Sequence, residues 1–313
     1  MTISTRLATL DDAKGITEVH CSSITDWIKI VNGKKIKASY DELTIEERWS
    51  HGGPWMSVET CAIRLNYLLI HGQYPLVAEI NGKIVGELEM YIGDEADFLG
   101  KNAYIDVIEV HKMFRRRGIG KALIEKAIAI AKENYCDTIA VWPTREAIGF
   151  YKKCGIGDIA YDITILEIDL DQFREENVPS LDPFPCRYEV VKDLILVTPR
   201  IFPSFPAWLK QWMIFDTEKR RLISIKASID EGTAVFSIGS LWSDKECGNL
   251  YLWVKNLQDL PEILRTVASI AKKADFKRLR LYVDKTILDE YFSQYSFRVI
   301  GDEVLLFRKL KTS

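Results

Sequence analysis

Residues 110–122, with the sequence VHKMFRRRGIGKA, are the part of the chain that most clearly indicates its fold. The apolar run Ala103–Val110 leads into it and predicts a strand, and apolar residues recur at three- and four-residue spacing over 118–134, which predicts a long helix. The first N–H groups of a helix lack partners and attract anions, and glycine lets the backbone approach a phosphate closely. The stretch therefore predicts an anion-binding turn, to which basic side chains add positive charge: Lys112, Arg115, Arg116, Arg117 and Lys121.

Two common phosphate-binding motifs do not fit this turn. A Walker loop requires GxxxxGK followed by Ser or Thr, but Arg115 stands at its first glycine and Ala122 at its hydroxyl position. A dinucleotide fingerprint requires GxGxxG, and Leu123 stands at its third glycine. The motif that remains is RxxGxG, formed by Arg115, Gly118 and Gly120.

This turn resembles the acetyl-CoA loop of the GNAT superfamily of N-acetyltransferases. A second stretch, TREAIGFYKKCG at residues 144–155, is similar to the NxxAxxxYxxxG helix of that family. Ala147, Tyr151 and Gly155 match that pattern, and Thr144 replaces its Asn. The resemblance covers roughly residues 3–168, about half of the chain, and implies a mixed α/β GNAT fold.

The resemblance also implies that acetyl-CoA is the cosubstrate. Backbone amides of the turn would hold its pyrophosphate, the strand that ends at Val110 would pair with its pantetheine arm, and Tyr151 would protonate the departing thiolate. The implied cofactor-binding residues are Ile108, Glu109, Val110, Arg115, Arg116, Arg117, Gly118, Ile119, Gly120, Lys121, Thr144, Ala147 and Tyr151.

An amine acceptor with a pKa near 10 arrives protonated and must lose a proton before it attacks the thioester. Side chains alternate along a strand, so Asp106 shares a face with Ile108 and Val110. Asp106 is therefore the first candidate for the catalytic base, with an exposed or salt-bridged strand residue as the competing interpretation. The next candidates are Glu89 and then Glu87, while Glu109 points to the opposite face.

Asn81 and Gly82 predict a tight hairpin between two strands at 75–80 and 83–92. A wider acidic group on and just after this hairpin has two interpretations. It predicts either an acidic entrance for a cationic amine or, as the favoured interpretation, a solvated strand end. Its members are Glu87, Glu89, Asp94, Glu95 and Asp97.

The chain predicts two α/β domains. Six of the ten prolines fall between residues 179 and 206, and EENVPSLDPFP at 175–185 interrupts regular structure, so we expect a GNAT domain at 1–172, a linker at 173–187 and a second domain at 188–313. The second domain repeats the later element order and is expected to be a degenerate GNAT-like copy. Alignment places Asp259 and Glu262 opposite Arg115 and Gly118, and Phe292 opposite Tyr151.

Composition excludes several classes of protein. With 313 residues, 47% hydrophobic and 28% charged, the sequence is typical of a globular protein, and its net charge of −3 gives no indication of nucleic-acid binding. The longest uncharged run, Leu65–Ala78, is too short to cross a bilayer, and MTISTRLATLDD lacks the features of a secretory signal, so a cytoplasmic location without membrane contact is expected. The cysteines form no CxxC pair and the histidines no HExxH, so no metal site is expected.

These observations predict an N-acetyltransferase. It would transfer acetyl directly from acetyl-CoA to a primary amine, on a small molecule or a protein, within a ternary complex. The alternatives are a non-catalytic CoA-binding regulatory or protein-interaction module and, third, an RNA-binding protein that uses the basic turn. The sequence leaves a homodimer open.

Overall fold

A computed structural model describes residues 2–174, 176, 178–213, 215, 223–229 and 232–310. The chain divides into two compact units, Met1–Ile92 with Ile105–Tyr135, and Gly93–Tyr104 with Cys136–Ser313. None of the helices within these described ranges is long and apolar enough to span a bilayer. All six cysteines are free thiols.

The first unit holds helices α1 to α4 and the strand order β1-β4-β5-β6. Its helices are α1 Ala13–Cys21, α2 Ile45–Trp49, α3 Val58–Ile70 and α4 Ile119–Glu133. Its strands are β1 Ser4–Leu7, β2 Trp27–Val31, β3 Lys34–Ala38 and β4 Tyr74–Ile80, with most of β5 Lys83–Asp94 and β6 Lys101–Val110. Strands β2 and β3 form a separate hairpin.

Local chemistry explains several of these elements. Asn81 and Gly82 have φ of 50° and 76°, the positive values that a tight β4–β5 hairpin requires. Helix α3 begins where the Ser57 hydroxyl accepts the Thr60 N–H. Helix α4 packs closely on β5 at Gly86, where a Cβ would lie 2.9 Å from the Ile119 side chain. The predicted hairpin and long helix are confirmed.

The second unit holds the remaining elements, in the strand order β7-β15-β8-β14-β13-β12-β11-β9, with β10 paired to β13. Its strands are β7 Thr138–Val141, β8 Asp158–Asp169, β9 Leu181–Pro183, β10 Ile195–Thr198, β11 Ser224–Ile229, β12 Ala234–Leu241, β13 Asp244–Val254, β14 Arg278–Asp284 and β15 Phe297–Lys309. Its helices are α5 Ile148–Lys153, α6 Ser204–Lys210, α7 Leu260–Lys273 and α8 Lys285–Tyr291. One apolar face of α7 packs into the core through Leu264, Val267 and Ala268.

Within the second unit, β8 ends the first half of the chain and β15 ends the second half, and each of the two pairs with strands of the other half. Strand β15 lies between β7 and β8, and β8 lies between β15 and β14, all antiparallel. The C-terminal strand β15 is therefore the neighbour of β7 from the first half, and β8 is the neighbour of β14 from the second half. Buried side chains on these strands, such as Leu166 and Leu306, each contribute about 1.5–3 kcal/mol.

Candidate active site

The predicted anion-binding turn has the backbone conformation that its sequence suggests. The His111 N–H donates to the Val85 carbonyl at 3.0 Å and ends β6 against β5. A short 3-10 turn follows, and then Arg116 and Gly118 have φ of 63° and 85° before α4 begins at Ile119. A Cβ on Gly118 would meet no atom within 4 Å, so the space beside the helix N-terminus is open. The turn thus combines unpaired helix amides with room for an anion.

The basic side chains of the turn divide into two groups. Arg115 is engaged within the protein: its guanidinium donates to the Val110 carbonyl at 3.1 Å and to Ser23 Oγ and Glu109 Oε1 at 2.6 Å each. It therefore ties the turn to β6 and to the segment that follows α1. The side chains of Arg116 and Arg117 are exposed and supply positive charge at the helix N-terminus.

A buried charge network surrounds Arg64 of α3. Its guanidinium donates to Glu89 at 2.9 and 3.0 Å, to the Tyr91 hydroxyl at 3.1 Å and to Asp106 at 3.2 Å. The side chains of Arg64, Glu89 and Asp106 are only 8%, 2% and 7% exposed. Burial disfavours the charged guanidinium, but the adjacent Glu89 and Asp106 outweigh it and hold the pKa of Arg64 well above its usual value.

This network changes the interpretation of two predicted bases. Asp106 and Glu89 are brought together, but each is ion-paired to Arg64, so a substrate competes with a fixed cation for their oxygens. Sequence reasoning missed Arg64. The available signal is its place on the apolar face of α3, one turn from Cys61 and from Leu68, where a charged residue needs a buried partner.

His20 of α1 and Glu87 of β5 form a second buried pair. His20 Nε2 hydrogen-bonds the Glu87 carboxylate, and the imidazole stacks on Trp55 at 5.1 Å between ring centroids. The Trp55 indole N–H donates to Glu89 at 2.8 Å, which links this pair to the network around Arg64. Sequence reasoning also missed His20 and Trp55.

The expectation that this acidic group is a solvated strand end is wrong for four of its five members, whereas Asp94 is exposed. Glu87 and Glu89 are buried and paired, as described above. In the second unit, Glu95 accepts the N–H groups of Ser204 and Phe205 at 2.6 and 3.1 Å. Asp97 accepts from the buried Arg200 at 2.7 Å. These carboxylates fix neighbouring elements in place.

The second motif lies in the second unit and begins at Thr144. Thr144 precedes a 3-10 turn that contains Ala147, and α5 follows with Tyr151 4% exposed. The Tyr151 hydroxyl hydrogen-bonds no residue in the described part of the chain, and burial raises its pKa, so it stays protonated at neutral pH. Gly155 ends the helix with φ of 82°.

The predicted repeat makes β13 the counterpart of β6, and in the structure the chain itself fills the space beside β13. Strands β13 and β14 pair in parallel only from Cys247 to Asn249. Beyond that point β10 pairs with β13, and the Arg200 N–H donates to the Tyr282 carbonyl of β14 at 2.9 Å. The segment 195–200 therefore occupies the gap between the diverging strands. Phe292, opposite Tyr151 in the alignment, is fully buried.

No group of three or more His, Cys, Asp or Glu side chains is arranged to hold a metal ion among the residues that the structure describes.

Comparisons with known proteins agree with this description. The model of the acetyltransferase (GNAT) family matches residues 37–156. An uncharacterized N-acetyltransferase of Methanocaldococcus jannaschii is 36% identical over 87 residues, which are 25% of this chain and 37% of that protein. The chain thus matches well under half of that relative's length.

Two solved structures extend the likeness over the whole chain. A GCN5-related N-acetyltransferase from Anabaena variabilis superposes with a TM-score of 0.65 at 11% identity, over 98% of this chain and 73% of the other. Another from Kribbella flavida gives 0.59 at 12% identity, over 99% and 71%. At these identities the likeness shows the fold alone, and it confirms the mixed α/β fold.

Proposed function

We propose that this protein is an acetyl-CoA-dependent N-acetyltransferase. Residues 37–156 form a domain of the acetyltransferase (GNAT) family, and the proposal builds on that domain. The observation that carries the proposal is the turn between β6 and α4. Arg116 and Gly118 adopt left-handed conformations there, and the open space beside Gly118 suits a phosphate.

Two features of the first unit support acetyl-CoA as the cosubstrate: the basic turn and the backbone amides beside it. The backbone amides from Arg115 to Lys121 would hold the pyrophosphate, and the exposed Arg116 and Arg117 would offset its charge. Residues 108–110 at the end of β6 would pair with the pantetheine amides as an added strand, and Thr144 and Ala147 would border the cofactor.

The transfer needs one group that accepts a proton and one that donates one. The sequence predicts Asp106 and Glu89 as acceptors that act through a water molecule, but both carboxylates are ion-paired to Arg64. Tyr151 would donate its phenolic proton to the departing thiolate, a role that suits its raised pKa and free hydroxyl. The amine attacks the thioester directly, and no covalent enzyme intermediate forms.

The second half of the chain is proposed to be a degenerate GNAT-like domain at 188–313, after a linker at 173–187. Two features oppose cofactor binding there: β10 fills the gap beside β13, and Asp259 and Glu262 stand at the start of α7. We therefore expect one acetyl-CoA per chain. We further propose that the protein is cytoplasmic, that it has no membrane or nucleic-acid partner, and that it is a monomer or a homodimer.

The proposed acceptor is a primary amine on a small molecule or a protein. The test incubates the protein with acetyl-CoA and spermidine, glucosamine, a lysine-containing peptide or a peptide with a free N-terminus. Mass spectrometry should detect an acetylated amine together with free CoA. Cofactor binding without acetylation of any amine would favour the alternative, a non-catalytic CoA-binding module.

A further inference from the structure

The pairing of His20 with Glu87 places a titratable base among fixed charges. Glu87 is 1% exposed and His20 is nearly as enclosed, between β5 and the indole of Trp55. A carboxylate only accepts hydrogen bonds, so Nε2 of His20 carries the proton in this pair. The hydrogen bond therefore fixes the tautomer and the orientation of the ring.

The other ring nitrogen is available. Nδ1 of His20 makes no hydrogen bond to any residue of the described ranges, although His20 lies near the turn that would bind the cofactor. Ser22 and Ser23, just beyond α1, bond to that turn: Ser22 Oγ accepts the Lys112 N–H at 2.9 Å, and Ser23 Oγ accepts from Arg115. A neutral His20 thus offers one unshared lone pair beside the proposed site.

The proposed carboxylate bases differ from His20 in this respect. Asp106 and Glu89 are both ion-paired to Arg64, and a proton placed on either carboxylate would break one of these two buried ion pairs. His20 can gain a proton at Nδ1 while Glu87 keeps its negative charge beside it. The ion pair that results is stabilised by the hydrogen bond that already exists.

We propose that His20, oriented by Glu87, accepts the proton that the acceptor amine must lose before it attacks acetyl-CoA. The inference rests on the proposed acetyltransferase function and adds His20 as proton acceptor and Glu87 as a positioning residue. In this scheme Arg64, Glu89 and Asp106 are fixed charges.

The proton balance is complete without a further reactant. The protonated amine gives one proton to Nδ1 of His20, its nitrogen forms a bond to the acetyl carbon, and the bond from that carbon to sulfur breaks. Tyr151 protonates the sulfur and recovers a proton from the amide nitrogen that has formed. The net reaction yields the acetamide, free CoA and one proton, which His20 releases to water.

The direction of the pH dependence follows from the surroundings of His20. Burial lowers its pKa, but the carboxylates of Glu87, Glu109 and Glu89 outweigh burial, so its pKa lies above the usual 6.5. Cys61 and Arg64 of α3 also face Glu87. Because only neutral His20 accepts a proton, kcat/KM should rise with pH through this raised value.

The test compares variants across pH, with acetyl-CoA and the fastest amine of the panel named above. In His20→Gln the side-chain amide can still donate to Glu87, so the fold is kept, but no base remains. We expect kcat/KM on the plateau to fall about 100-fold. The rise at the pKa of His20 should disappear, so that only the rise from deprotonation of the amine itself remains. Glu87→Gln should lower the pKa of His20 and move the rise to lower pH, whereas a purely structural role would reduce activity without moving its midpoint.

A direct titration complements the kinetics. The histidine resonance that is missing from the NMR spectrum of His20→Gln should titrate above pH 6.5 in the wild-type protein and at lower pH in Glu87→Gln. His71→Gln is the matched control, because His71 is exposed and bonds only its own helix, and its profile should equal that of the wild type.

The outcomes separate this inference from the proposed function. Turnover in His20→Gln with an unchanged pH profile would overturn the role of His20 and leave the acetyltransferase intact. A wild-type protein that binds no acetyl-CoA or acetylates no amine would overturn the proposed function and this inference with it.

Discussion

Replacement of Arg64 by Gln should destabilise the first unit strongly. Arg64 is the cation between the buried carboxylates of Glu89 and Asp106 and also bonds the Tyr91 hydroxyl. The substitution leaves a side chain of similar reach but removes the positive charge. Two buried carboxylates then face each other without a counter-charge.

The size of the effect follows from the burial of the partners. Breaking a buried ion pair from one side costs about 3–5 kcal/mol, because the remaining charge stays desolvated. The Gln amide can keep one hydrogen bond, which offsets about 1 kcal/mol. We therefore expect a loss of about 3 kcal/mol in the free energy of unfolding. The double variant with Glu89→Gln should lose less than the single variant, since it removes one stranded charge.

Urea unfolding followed by tryptophan fluorescence measures this loss. Lys37→Gln is the control: its ion pair with Asp26 is exposed, with side-chain accessibilities of 77% and 52%, so its removal should change stability by less than about 1 kcal/mol. A change of under about 1 kcal/mol in Arg64→Gln would show that Arg64 is not the counter-charge that stabilises these buried carboxylates, and the expected loss would then be wrong.

Four further predictions each concern a single residue. Tyr151→Phe should lower kcat about 100-fold and leave the Kd for acetyl-CoA, measured by calorimetry, unchanged. Gly93→Ala should destabilise the protein by about 1–3 kcal/mol, because its Cβ would lie 2.3 Å from Phe205 Cγ. Gly149→Ala should instead stabilise α5 by about 0.5–1 kcal/mol, because its Cβ would meet no atom within 4 Å. Urea unfolding measures both changes. Burial raises the pKa of Glu95 to about 8 from 4.5, so the folded protein keeps a proton that the unfolded chain releases. Stability should therefore fall as pH rises through that window, and unfolding curves across it should show a smaller fall in Glu95→Gln.

The sequence predicted the elements whose signals are local. The turn at 110–122 and the Asn81-Gly82 hairpin each depend on residues that are neighbours in the chain. For such features, backbone preference and apolar spacing determine the conformation before any long-range contact forms. The resemblance then supplied the roles proposed for Tyr151 and Asp106.

The features that were missed depend on contacts between distant residues. Arg64 meets Glu89 and Asp106 across 25 and 42 residues, and His20 meets Glu87 across 67. Apolar periodicity shows where a helix is buried but does not show which charge lies opposite it. Two sets of strand pairings were missed as well: β8 pairs with β15, and β10 pairs with β13. Alternation of apolar and polar residues along a strand shows which face is buried but does not show which strand is its neighbour.

Calorimetric titration of the protein with acetyl-CoA probes the proposed cofactor site at 115–121 directly. We expect one molecule to bind per chain. Gly118→Glu should abolish binding, because it places a carboxylate where the pyrophosphate would lie, and Gly118→Ala should only weaken it, since its Cβ meets nothing within 4 Å and the φ of 85° adds about 1–2 kcal/mol of strain. Two molecules per chain would contradict the filled gap beside β13, and no binding to the wild-type protein would contradict the central claim that the turn at 115–121 is a cofactor site.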